Sequence, residues 1–171
     1  GSFSINYTYP DPCVLQDDAT ISVEVAPNLT LELPEDVCVD ALPFSLVSSP
    51  TDGIFSGLGI TDPLLGTFDA AIAGEGTHTI SMTTSTVCPI NLTDDINVQP
   101  LPILDVSANA DVCPGDDVMI QAEGAESYLW TPATYLSADN IDAPFVSLEA
   151  TTTYTVEGTS EFGCTSQGQV T

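Results

Sequence analysis

The chain has 171 residues with 25 Asp and Glu, no Lys, no Arg and one His, a formal net charge of -25 at pH 7. Without a basic side chain nothing neutralises phosphate, so nucleic acid and anionic membrane surfaces are poor partners and cations are favoured. Schiff-base lysine chemistry, the P-loop lysine and Lys-to-Asn isopeptide staples are excluded.

Charged residues make up only 15% and apolar residues 43%, which sets the chain apart from acidic disordered tails and predicts a folded protein. The 13 Pro and 12 Gly, spread among Val, Ile and Thr, interrupt any helical period and predict short strands with turns and little or no helix. No run of 18 apolar residues exists to span a bilayer.

In chain order, Phe3, Ile5 and Tyr7 alternate with polar residues, and Ile21 with Val23 opens a second alternation. Ala26-Pro27 then interrupts pairing, so residues 1-27 read as the C-terminal part of one repeat. Leu29, Leu31 and Leu33 alternate into Cys38, and Phe44 and Leu46 precede a turn at Ser48-Gly53. Phe55, Thr67-Phe68, His78-Ile80-Met82 and Ile96-Val98 supply later strands between Gly, Pro, Asp and Asn clusters. Gln99-Pro-Leu-Pro102 is the second seam. Residues 28-101 therefore read as a complete repeat and 102-171 as a repeat lacking its final strand. Gly1 matches Gly76 in register and reads as native sequence, and the whole reads as a segment of a longer array.

The repeat is written in the residues. Gly1-Ser-Phe-Ser-Ile-Asn-Tyr, Gly76-Thr-His-Thr-Ile-Ser-Met and Thr152-Thr-Tyr-Thr-Val-Glu-Gly align at offsets of 75 and 76. Two cysteine classes follow the same register: Cys13, Cys88 and Cys164 in one, Cys38 and Cys113 in the other. Leu29 with Leu104, Asp36 with Asp111, Ile21 with Ile96 and Phe55 with Trp130 match as well.

About seven short strands in about 75 residues predict an all-β fold of tandem immunoglobulin-like antiparallel β-sandwiches. Cys38 and Cys88 are 50 residues apart, Cys113 and Cys164 are 51 apart, and Phe55 and Trp130 each follow the first cysteine by 17. An aromatic beside an inter-sheet bridge marks such domains. The expected disulfides are therefore Cys38–Cys88 and Cys113–Cys164, one within each domain, with Cys13 unpaired in this sequence and Phe55 and Trp130 as core aromatics. Each loop of about 50 residues gains roughly 4 kcal/mol in the chain-entropy account. Disulfides persist in oxidising compartments, which places the chain outside the cytoplasm.

His78 stands where Phe3 and Tyr154 stand in the other repeats, which points to a strand face rather than a catalytic base. The cysteine spacings contain no CxxC and no His partner, so metal ligation is not expected. No catalytic pair is argued from 25 carboxylates, among which some pair always falls at a catalytic separation. Asp17-Asp18, Asp94-Asp95 and Asp116-Asp117, with Asp36 and Asp111, offer the hard oxygens that suit Ca2+. None matches an EF-hand loop, and diffuse counterion condensation is the preferred reading over a bound Ca2+ cofactor. Asn6, Asn28 and Asn91 each begin an N-glycosylation pattern, for which occupancy is not expected.

Pro43-Phe-Ser-Leu46, Gly53-Ile-Phe-Ser-Gly-Leu-Gly59, Gly66-Thr-Phe-Asp-Ala70 and Ala73-Gly-Glu-Gly-Thr-His-Thr-Ile80 resemble one kind of tandem repeat in the giant surface adhesins of Bacteroidota. Val112-Cys-Pro-Gly-Asp116, Tyr128-Leu-Trp-Thr-Pro-Ala-Thr-Tyr-Leu136 and Ala150-Thr-Thr-Thr-Tyr-Thr-Val156 resemble another, immunoglobulin-like or PKD-like. These arrays are similar to gliding-motility-associated adhesins exported by the type IX system. The resemblance implies an extracellular stalk or filament, at the cell surface or secreted, with no chemistry of its own. Its partners would be further repeats of the same chain or neighbouring subunits in a fibre, with surface glycans or divalent cations as further ligands. The alternatives are a carbohydrate- or calcium-binding module working through loops 48-66 and 131-144, and accessory repeats of a larger secreted enzyme.

Overall fold

The computed structural model describes residues 2–6, 18–22, 29–49, 51, 53–84 and 89–171. Strands β1 (Ser2–Asn6) and β2 (Asp18–Ser22) form an antiparallel hairpin that places Phe3 opposite Ile21.

The next nine strands build a first sandwich: β3 (Thr30–Glu32), β4 (Asp36–Cys38), β5 (Phe44–Ser45), β6 (Val47–Ser49), β7 (Ile54–Ser56), β8 (Ile60–Asp62), β9 (Thr67–Phe68), β10 (Gly76–Thr83) and β11 (Asn91–Gln99). One layer has the order β4-β11-β10-β7, and the other is made of the pair β3-β6 and the trio β5-β9-β8. All pairs are antiparallel except β4 with β11, which run parallel with Cys38 level with Gln99. Alternation along β10 explains the core: Ile80 and Met82 point inward at 0% exposure and meet Phe55, Phe68, Ile96 and Val98. Thr77, Thr79 and Thr83 point outward, where their hydroxyls donate to Asn97, Asp95 and Asn91 across the ladder. The pairing of His78 with Ile96 repeats that of Phe3 with Ile21 at an offset of 75 residues.

The only helix among the described residues is one turn, α1 (Ala70–Ala73), where Ala and Ile lack a strand partner. Asp69 caps it, its Oδ1 accepting from the amides of Ala71 and Ile72.

A second sandwich follows, of β12 (Asp105–Val106), β13 (Asp117–Met119), β14 (Ala122–Glu123), β15 (Ser127–Thr131), β16 (Phe145–Ser147), β17 (Tyr154–Thr159) and β18 (Thr165–Val170). One layer has the order β15-β17-β18, repeating β7-β10-β11, and the pairs β12-β14 and β13-β16 form the other. Trp130, Val146, Tyr154 and Val156 fill its core at 1% exposure or less. Both sandwiches have the immunoglobulin-like strand arrangement, and among the described residues no helix is long and apolar enough to cross a membrane.

The cysteines correct the expected pairing. In place of Cys38–Cys88 and Cys113–Cys164, one disulfide joins Cys38 to Cys164, across the two sandwiches, and Cys113 is an exposed free thiol. Cys13 and Cys88 lie outside the described residues. The reason is position along the strands. Cys164 directly precedes β18, whereas the segment leading to Cys113 is tied to its other end, Ala110 N donating to Thr171 O and Thr171 N to Asn109 Oδ1. The six residues of β18 separate those ends by roughly 17 Å, well beyond the roughly 4.4–6.8 Å that a disulfide allows between Cα atoms.

Candidate functional site at the junction of the two sandwiches

The chain leaves the first core after Val98 and joins the second at Leu104. Between them Pro100 and Pro102 fix φ and offer no amide donor, so neighbouring groups must hold the linker. Val39 N donates to Gln99 O at 2.9 Å and Gln99 Nε2 donates to Asp36 Oδ1 at 2.6 Å, both from the edge formed by β4. From the other sandwich, Ser166 Oγ donates to Pro102 O at 2.6 Å. The close approach of Ile103 is permitted by Gly124, whose φ is +99° and where an added Cβ would lie 2.0 Å from Ile103 O.

The second sandwich contributes the turn between β17 and β18. Ser160 N donates to Cys164 O at 2.8 Å, Gly163 N to Ser160 O at 3.0 Å and Cys164 N to Ser160 Oγ at 3.1 Å. Gly163 supplies the left-handed residue that the turn requires, at φ +83°. This geometry presents Cys164, 1% exposed, to Cys38 with a Cα–Cα distance of 5.5 Å. Phe162 lies beside them and lines two shallow grooves, one of about 570 Å³ with Val37, Ala41 and Phe44, the other of about 470 Å³ with Pro100, Leu101 and Gly124. Carboxylates surround the junction (Asp36, Asp40, Glu126 and Glu161), and the protein has no Lys or Arg to pair with them. The junction therefore joins the two sandwiches by the linker and by the Cys38–Cys164 bond.

The other sequence candidates are dispersed. His78 is half-buried on β10, its Nε2 2.7 Å from Gly74 O. Asp94 Oδ1 accepts from the amide of Asp95, and Asp95 from Thr79. Asp116 and Asp117 are exposed, Asp36 is engaged by Gln99, and Asp17 lies outside the described residues. Among the described residues no three His, Cys, Asp or Glu groups converge on one point. Asn91 is exposed on β11, Asn6 ends β1, and Asn28 lies outside the described residues.

Phe55 is 3% and Trp130 1% exposed. Trp130 Nε1 donates to Ile141 O at 2.8 Å and Tyr154 Oη to Thr134 O at 2.6 Å, so loop 131-144 is held from beneath. Burial raises the Tyr154 phenol above its ordinary value, and Tyr135 adds a smaller push. Sequence reasoning did not single out Ser160, Phe162 or Ser166. The available signal was Gly163 directly before Cys164, a turn residue that puts the cysteine at a hairpin tip.

No family of sequences and no curated protein matches this chain. Among solved structures it is similar to a Bacteroides ovatus mixed-linkage glucan utilization locus protein, SGBP-B, in complex with a mixed-linkage heptasaccharide, at 14% identity and TM-score 0.32, covering 86% of this chain and 48% of that one. It is similar to DIP-gamma IG1+IG2 at 10% identity and TM-score 0.35, covering 85% and 96%. Protocadherin Gamma B7 extracellular cadherin domains 1-4 match at 13% identity and TM-score 0.26, covering 99% and 56%. The chain thus spans about half the length of the first and third of these. At such identities and TM-scores, the fold rests on the strand order and register described above.

Proposed function

We propose that this chain is a segment of an extracellular stalk or filament built from repeated β-sandwich units, 28-101 and 102-171, with no chemistry of its own. The observation that carries the reading is the Cys38–Cys164 bond, which crosses the junction instead of stapling one core. A bond in that place restricts bending between domains, and a spacer needs that restriction where a single folded domain does not. It also requires an oxidising compartment, which supports an extracellular location. The sequence resemblance to repeats of giant Bacteroidota surface adhesins supports the same role, with further repeats or neighbouring subunits as partners.

Small-angle scattering of the oxidised protein tests this. Two sandwiches in line, with a maximum dimension that spreads after reduction, are the expected result. A compact side-by-side particle, or saturable binding of Ca2+ or glucan oligosaccharides in calorimetry, would replace the stalk with a binding module.

A further inference from the structure

We infer that the Cys38–Cys164 bond is one member of a series in which the early cysteine of each unit bonds the late cysteine of the next. Cys113 then takes the late cysteine of a further unit of the same kind, and successive disulfide loops overlap. This rests on the stalk reading and adds its covalent architecture.

Three observations carry it. Asp111-Val112-Cys113 repeats Asp36-Val37-Cys38 at 75 residues, and Cys13, Cys88 and Cys164 form the late class at 75 and 76. Cys38, the early member, reaches out of its own sandwich to the late cysteine of the following one. Cys113 is exposed and free at the end of β18 remote from Cys164, with Val112 39% exposed beside it. Pairing inside its own unit is barred by distance, and pairing forward is the arrangement that the equivalent residue already shows.

The chemistry is thiol–disulfide exchange with a disulfide oxidant. The Cys113 thiolate attacks glutathione disulfide and releases one glutathione thiol. The late cysteine's thiolate then attacks the protein sulfur of the mixed disulfide and releases the second. Two cysteines are oxidised, one glutathione disulfide is reduced to two glutathiones, and the two thiol protons pass to those products.

The consequence is mechanical. The loop closed by Cys38 and Cys164 contains Cys113, so a loop starting at Cys113 overlaps it and peptide bonds along such an array are enclosed by at least one loop. A single backbone cut then leaves the array covalently whole. Tension would run through the bridges and the 25-residue stretches from late to early cysteine, as from Cys13 to Cys38 and Cys88 to Cys113. Such a stretch extends to at most about 85 Å, against roughly 500 Å for two unfolded units without bridges.

The protein is oxidised at high concentration in a glutathione redox buffer, run on a non-reducing gel, and digested at Asp and Glu for cross-linked-peptide mass spectrometry, since trypsin has no site. We expect Cys38–Cys164 within each molecule and a ladder of covalent oligomers in which the Cys113 peptide carries Cys13 or Cys88 of another copy. Cys113→Ser, at an exposed position, removes those peptides and the ladder. Cys113–Cys113 dimers, a persistently free Cys113, or peptides linking Cys38 to Cys88 or Cys113 to Cys164 would overturn the series. Scattering reads the stalk separately, because an in-line shape survives even where Cys113 proves inert.

Discussion

Tyr154 shows how one buried polar group couples a core to a loop. At 1% exposure its ring belongs to the second core, yet its hydroxyl donates to Thr134 O at 2.6 Å and so ties down loop 131-144. Burial favours the neutral phenol, and the Thr134 carbonyl can accept only from that form. The folded pKa is therefore raised, chiefly by desolvation. A group whose pKa is higher folded than unfolded binds its proton more tightly in the native state, so stability is retained below the unfolded value of about 10 and falls as pH rises through the folded one. Thermal unfolding from pH 8 to 12 should show this loss above pH 10. Tyr154→Phe should lose about 1 kcal/mol at neutral pH through the missing hydrogen bond and show a shallower alkaline decline. An alkaline profile identical to that of the native protein would remove Tyr154 from the explanation.

At the scale of elements, most of the strand pattern was legible because alternation and burial have the same physical origin. His78-Ile80-Met82 and Ile96-Val98 alternate because one face of β10 and β11 is the core. Phe55 and Trp130 share a register because they fill the same place in each sandwich. The disulfide was not legible, because in a periodic chain a cysteine spacing fixes a partner only up to whole repeats. The separation of 126 between Cys38 and Cys164 is the expected intradomain 50 plus one repeat of 76. Spacing also leaves open which end of a strand a cysteine occupies, and here Cys38 lies level with Gln99, the last residue of β11, whereas Cys164 directly precedes β18. The turn before β15 adds a test of the junction: Gly124 combines positive φ with backbone contact to Ile103. Gly124→Val adds backbone strain of roughly 1–3 kcal/mol and pushes Ile103 away. Urea unfolding should show a lowered midpoint for the second sandwich, followed by Trp130 fluorescence, while the first sandwich's far-UV transition stays in place. A shift of the first sandwich alone would contradict this placement of the strain.

At the scale of the whole molecule, a net charge of -25 with no Lys or Arg means that self-repulsion has no internal counterweight. Exposed carboxylates interact over a Debye length of about 8–10 Å near physiological salt and about 30 Å at 0.01 M, so dilute buffer lets repulsion act across a whole sandwich. Within each sandwich the cores Ile80-Ile96 and Trp130-Tyr154 oppose it, whereas the two grooves at the junction are lined by Phe162 together with Asp36, Asp40, Glu126 and Glu161. The Cys38–Cys164 bond is a covalent tie across that junction in addition to the linker, and salt and reduction should therefore act jointly. Scattering in the oxidised state should give a similar maximum dimension at 0.01 M and 0.5 M NaCl. After reduction, the dimension should spread at 0.01 M and contract again at 0.5 M, while far-UV dichroism keeps the strand signal in all four states. Reduction that leaves the low-salt dimension unchanged would mean that the linker bonds from Val39 and Ser166 suffice to align the sandwiches. The disulfide would then add a covalent link between the sandwiches and not stiffness.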